Sequence, residues 1–185
     1  MKMKIQTTAK RRLIKKVVRP PARTRESGRR LLPPKLKIKK ILVPTDFSSA
    51  AKNALAYASD IAKQFGAKIT VLHVVEPMPT SDFSAYPLAL PLDEMLKENK
   101  RSLDRFARHE LDEKLLQGTR LSVGRPFREI TAAARSLNAD LIIIATHGHT
   151  GLAHAILGST AERVVRYSPC PVLTVREKEN KSTKG

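Results

Sequence analysis

The chain has 185 residues, 41% of them hydrophobic and 28% charged, with a formal net charge of +18. That length supports one domain of ordinary size with a real core, and the hydrophobic share excludes global disorder. No run of 18 apolar residues occurs, which excludes a membrane-spanning helix. The single cysteine, Cys170, excludes an internal disulfide and fits a reducing compartment, so the expected location is the cytoplasm.

The basicity is local. Residues 1–40 hold 16 Lys and Arg against one acid, Glu26, while the other 145 residues hold 19 against 16. The charge therefore belongs to an N-terminal tail, residues 1–38, and the folded part, residues 39–177, is nearly balanced. Residues 178–185 form a polar C-terminal tail. The N-terminal tail has the Arg-rich, acid-poor composition of an organellar transit peptide but no long apolar stretch, so it does not read as a secretory signal. Pro20-Pro21, Ser27-Gly28 and Pro33-Pro34 break regular structure there. Ahead of Pro20, Ile5, Ala9, Leu13 and Val17 recur at helical spacing with basic residues interleaved. The tail has no Trp, Phe or Tyr, so base stacking is closed to it. Its expected partner is an anion met electrostatically: nucleic acid, an acidic protein or a membrane surface.

From Lys39 the texture changes. Lys40 to Pro44 is a short apolar run of the kind a buried parallel strand needs. Ser48 is a good N-cap for a helix whose stripe is Ala51, Leu55, Ala58, Ala62 and Phe65, and Gly66 suits its end. Ile69 to Val75 is a second strand. A long loop follows, residues 76–91, with Pro77, Pro79, Pro87 and Pro91. The periodicity then predicts a helix from Leu92 to Leu116, stopped by Gly118, and a strand from Thr119 to Val123. Pro126 suits the first position of a helix that buries Phe127, Ile130, Ala134 and Leu137. Asp140 to Ala145 is a central strand. A helix from Ser159 to Tyr167 and a strand from Pro171 to Arg176 complete the pattern. The βαβαβαβαβ alternation calls for a mostly parallel five-stranded sheet with helices on both faces. Ligands of such sheets sit at the carboxyl ends of the strands, where strand order reverses. The residues after Val43, Val75 and Ile144 are therefore the ones to inspect.

Neither a G-x-G-x-x-G nor a P-loop lysine motif follows a strand, which argues against a dinucleotide-binding Rossmann enzyme and leaves no P-loop lysine. Gly158 stands before a helix, whose first backbone N–H groups, at Ser159 and Thr160, point outward with the helix dipole. Gly148 lets backbone approach a ligand without a Cβ. Asp46 is placed to accept hydrogen bonds from a ribose or base. Each has a plainer reading: Asp46 as a charge at a helix start, and both glycines as tight-turn residues. His147, His149 and His154 lie within eight residues but have no Cys or acid cluster beside them, so a solvated loop is expected rather than a metal site. Cys170, between two prolines, reads as a structural thiol.

The stretches Ile41 to Ser48, Ile142 to Gly148, Gly158 to Val164 and Ser168 to Val175 together resemble the universal stress protein family, over about residues 39 to 177. The resemblance implies a Rossmann-like, adenine-nucleotide α-hydrolase-like sheet. It also implies an ATP site, with or without Mg²⁺, at Pro44, Thr45, Asp46, Val74, Ile144, Ala145, Gly148, Gly158, Ser159 and Thr160. The ATP-binding pattern of that family is G-x2-G-x9-G-[ST]. Its later positions fall on Gly148, Gly158 and Ser159, but its first glycine is Ala145 here. The resemblance further implies a homodimer through the last strand, Val172, Leu173, Thr174 and Val175, which would otherwise be a bare sheet edge. Phosphoryl transfer needs a cationic clamp, a held Mg²⁺ and a positioned nucleophile, and Asp46 is the one obvious acid near the crevice. The expectation is a nucleotide-dependent switch or sensor with slow or no hydrolysis, not an enzyme. The competing expectation, raised by Ala145, is a nucleotide-free dimeric interaction module whose tail contacts an anionic partner.

Overall fold

The computed structural model describes residues 36–77, 92–147 and 157–176. The tail pattern of residues 5–17, most of the long loop, Gly148, His149, His154 and the C-terminal tail lie outside the described residues. Five strands and four helices alternate: β1 Lys40–Thr45, α1 Ser49–Phe65, β2 Lys68–Val75, α2 Leu92–Glu110, β3 Leu116–Val123, α3 Pro126–Leu137, β4 Leu141–Ala145, α4 Ser159–Tyr167 and β5 Val172–Val175. The sheet order is β3-β2-β1-β4-β5, and every neighbouring pair is parallel.

Side-chain alternation along the strands divides the core into two layers. Ile41, Val43, Ile69, Val71 and Ile143 face Ala54, Leu55 and Ala58 of α1 and Leu103 and Ala107 of α2. Leu42, Leu72, Ile142 and Ile144 face Ile130, Ala133 and Ala134 of α3 and Ala161 and Val164 of α4. Central strands buried on both faces must be apolar at every position, which is why β1 and β4 read as continuous hydrophobic runs. Ile38, the last residue of the expected tail, is itself buried in the first layer.

One end of the sheet is closed by the chain's own lysines. Lys39 Nζ donates to the carbonyl of Phe65 at the end of α1 (3.1 Å), and Lys40 Nζ to that of Leu137 at the end of α3 (3.2 Å). Cations there satisfy orphan carbonyls and oppose the negative end of the helix dipole. Asp140 accepts the backbone N–H groups of Lys39 (2.8 Å) and Lys40 (2.9 Å) and so fixes the start of β1. At the other end, Ser48 caps α1 by accepting the N–H of Ala51 at 3.2 Å, whereas the N-termini of α3 and α4 have no side-chain cap.

Two sequence expectations change. The second helix ends at Glu110 and not near Leu116, because Asp112 diverts the chain. Its carboxylate accepts the N–H of Lys114 (2.8 Å) and its carbonyl that of Leu115 (2.9 Å), a turn that competes with helix continuation. Gly118 does not stop a helix. It lies inside β3, which starts at Leu116 and not at Thr119, beside a register shift in which Ile69 pairs with Leu116 and Thr70 with Gly118.

Helix α2 is pinned to β3 by Asp104, whose carboxylate accepts from Lys100 Nζ and Thr119 Oγ1. Burial raises the Asp104 pKa, but the bonds from Lys100 and Thr119 outweigh it and hold the group below its ordinary 3.8. A depressed folded-state pKa gives stability that is present above the ordinary value and is lost as pH falls through it. The urea midpoint should therefore drop between about pH 5 and pH 2, and Asp104→Asn should make that drop shallower, as followed by circular dichroism. An unchanged pH profile in the variant would contradict the assignment.

Candidate nucleotide site

Beyond the pair Leu42↔Ile142, β1 and β4 stop pairing, although β1 stays paired with β2 through Thr45↔His73. Pro44, with no N–H to donate, stands where the β1–β4 ladder would have continued. The order reverses at this point, and a cavity of about 510 Å³ opens there at the carboxyl ends of the strands.

Nine of the ten sequence-predicted residues line this one cavity: Pro44, Thr45, Asp46, Val74, Ile144, Ala145, Gly158, Ser159 and Thr160. The tenth, Gly148, lies outside the described residues. The cavity also takes in His73, Glu76, Pro126, Ile130, Thr146 and His147, which the sequence reading did not name as site residues. Glu76 follows β2 and Thr146 follows β4, so the strand-end rule alone would have found those two.

A chain of hydrogen bonds shapes the β1–α1 turn. Thr45 Oγ1 accepts the N–H of Phe47 (3.0 Å), and Asp46 Oδ1 accepts both the N–H (3.1 Å) and the hydroxyl (2.6 Å) of Ser48. The plainer reading of Asp46 thus has substance, because one carboxylate oxygen organises the helix start. Phe47 adopts φ 66°, a left-handed conformation rare for a bulky residue. Strain of that kind persists only where the surroundings over-determine it. Here the Phe47 ring packs on His73 at 4.5 Å and edge-on to Phe106 at 5.3 Å. His73 Nδ1 lies 2.8 Å from the Thr45 carbonyl, which can only accept, so Nδ1 carries the proton.

The α4 side is built from backbone. Gly158 N–H donates to the Thr146 carbonyl at 2.7 Å, and a Cβ added at Gly158 would lie 3.0 Å from that oxygen. The glycine lets the start of α4 press against the end of β4, and its φ of −68° needs no left-handed freedom. The tight-turn reading therefore misses its main use, which is close approach. With Gly158 as a side-chain-less cap, the first N–H groups of α4 have no side-chain acceptor and open where Ser159, Thr160 and Ala161 line the cavity. Leu72, Val74, Ile130, Ile144 and Leu157 supply apolar walls. The site thus joins a carboxylate, an apolar slot and a donor-rich helix start.

Ala145 packs against the core layer of α1 and α2, while Ile144 belongs to the opposite layer. Cys170 is half-buried against the second layer, and burial pushes its thiol pKa up against the lowering effect of Ser168, as an unreactive thiol requires. Among the described residues, no three His, Cys, Asp or Glu side chains gather as a metal-ligand set. Among them, too, no helix is long and apolar enough to cross a membrane.

Comparison with known proteins places this architecture. The family model described as the universal stress protein family matches residues 37–176. A universal stress protein of Methanocaldococcus jannaschii, MJ0531, is 36% identical over 140 residues, covering 75% of this chain and 82% of its own. The solved structure of MJ0577, from the same organism, is 30% identical with a TM-score of 0.65 and covers 78% of this chain and 99% of its own. A universal stress protein solved in complex with cAMP shares the fold at 23% identity, with a TM-score of 0.57 over 75% of this chain and 97% of its own. The family model spans all five strands and four helices, the fold is shared with these solved structures, and the chain belongs to the universal stress protein family.

Proposed function

We propose that this universal stress protein binds a nucleotide such as ATP in the cavity between β1 and β4, and works as a regulatory switch or sensor. One observation carries the reading. The uncapped start of α4, pressed onto β4 through Gly158, lies across the same cavity from Asp46. Backbone N–H groups at Ser159 and Thr160 would hold phosphate oxygens, whose remaining charge a Mg²⁺ ion would offset when bound. Asp46 would accept from the ribose or base, and Val74 and Ile144 would flank the ring. Ala145 does not argue against this, since its methyl packs against the α1–α2 layer. That the cAMP complex has the same fold supports a nucleotide in such a frame.

The lining favours binding over turnover. Asp46 spends one oxygen on Ser48, and no arginine or lysine lines the cavity among the described residues. Phosphoryl transfer relies on such a clamp. Equilibrium dialysis of the full chain against labelled ATP should give one nucleotide per chain, with hydrolysis well below about 1 s⁻¹. Turnover above that rate would overturn the switch reading.

The two sheet edges support a homodimer through β5. β3 carries Arg120 and a register irregularity, both devices that discourage edge pairing. β5 has neither, and Leu173 is 37% exposed on it. Sedimentation at tens of micromolar should show a dimer, and Leu173→Lys should shift it toward monomer. A wild-type monomer at that concentration would contradict the pairing. We further propose that the basic residues of the tail, which precede the buried Ile38, engage an anionic partner electrostatically.

A further inference from the structure

The outer surface of α3 and α4 carries a second feature that the cavity does not use. Arg125, Arg128, Arg135, Arg163 and Arg166 are all exposed there. Arg128 and Arg135 are seven residues apart on α3 and share a face. Two of the guanidinium groups converge on one ring, with Arg163 5.2 Å and Arg128 5.9 Å from the centroid of Phe127. Phe127 in turn packs against Tyr167 at 6.1 Å, and Arg135 donates to the Tyr167 carbonyl at 3.3 Å. Tyr167 is 52% exposed. The acids of these helices neutralise only part of the seam. Glu162 pairs with Arg166 at 3.2 Å, and the Glu129 carboxylate lies beside Gly124, in the space that a Cβ there would take.

We infer that this α3–α4 seam is a docking surface for single-stranded nucleic acid. A guanidinium held on an aromatic face loses little freedom on binding and presents a planar fork that matches phosphate oxygens. Arg128 and Arg163 are held in that way on Phe127, and each offers its free edge to a backbone phosphate. The exposed Tyr167 ring offers a platform on which a base stacks, as in sequence-tolerant single-strand binding. An acidic polypeptide would meet the same charges, but its carboxylate side chains do not stack on that ring, whereas every nucleotide brings a base that does, so the aromatic favours nucleic acid. Recognition here is of backbone and base face, without sequence readout.

The test is fluorescence anisotropy of a labelled 20-nucleotide oligouridine titrated with the full chain over a range of salt. Arg128→Ala with Arg163→Ala should weaken binding about tenfold and flatten the dependence of log K on log salt by about 1.4, or 0.7 per phosphate contact. Tyr167→Leu should weaken binding about tenfold and leave the slope unchanged. The control, Arg101→Ala with Arg105→Ala, removes two exposed charges from α2 on the other face of the sheet. It should change affinity less than about twofold, although the basic tail is present in every variant. An equal loss in the control would overturn the inference, because net charge alone would then explain binding. An unaffected Tyr167→Leu, or a polyglutamate that competes as well as RNA at equal charge, would also overturn it. The variants should keep the wild-type circular dichroism spectrum. If one did not, Arg128→Lys with Arg163→Lys, which keeps the charge and loses the fork, should still weaken binding, and full affinity in that variant would overturn the inference.

Discussion

Gly158→Val should lower ATP affinity at least about a hundredfold while leaving the fold intact. The new Cβ would stand 3.0 Å from the Thr146 carbonyl oxygen, a backbone atom held by the Thr146 N–H bond to Val175 and so unable to give way cheaply. The start of α4 must therefore lift from the end of β4. That movement breaks the 2.7 Å Gly158 to Thr146 bond and turns the free N–H groups of Ser159 and Thr160 away from the cavity. Two charge-assisted hydrogen bonds at the weaker end of their range amount to about 3 kcal/mol, which is about a hundredfold in affinity. The helix itself should survive, because Ala161 and Val164 remain buried on the second core layer. Calorimetric titration with ATP measures the loss, and far-ultraviolet circular dichroism checks the fold. Affinity within about threefold of wild type would mean that the α4 start does not hold the phosphates.

Ile143→Ala should destabilise the protein by about 3 to 4 kcal/mol, a large part of the roughly 5–15 kcal/mol that holds a typical domain together. Ile143 is 0% exposed and sits in β4, paired to β5 through Leu173, in the layer where α1 covers the sheet. Removing its branched chain leaves a void between the sheet and α1, and the strands cannot shift register to fill it without turning every side chain to the other face. Urea unfolding monitored by circular dichroism gives the value. A loss below about 1 kcal/mol would imply that the two-layer core tolerates collapse at its centre.

The architecture is largely written in local pattern. Continuous apolar runs at Ile41–Val43 and Leu141–Ile144 declare strands buried on both faces, and Ser48, Gly66 and Pro126 mark helix ends in the positions where the structure has them. The end of α2 was not legible, for a reason that is itself local. Leu111 and Leu115 keep a helical period past Glu110, while the Asp112 side chain takes the backbone donor that would have extended the turn. The β3 irregularity was not legible either, since the offset between Leu116 and Gly118 exists only against Ile69 and Thr70 on another strand.

The cavity shows the same division. Asp46, Ser159 and Thr160 follow from strand ends and a helix start, so sequence places them together once the topology is known. His73 enters from within β2, and Pro126 and Ile130 enter from α3 through packing across the sheet. No spacing in the chain announces those contacts. The use of Gly158 was also only half visible. A glycine before a helix suggests an open N-terminus, but its contact with the Thr146 carbonyl joins residues twelve apart across segments that sequence cannot dock.

Native mass spectrometry of the full chain incubated with ATP at micromolar concentration tests nucleotide binding most directly. One added nucleotide mass per chain is expected, absent in Gly158→Val. A chain that carries no nucleotide even with ATP at a hundredfold excess would contradict it.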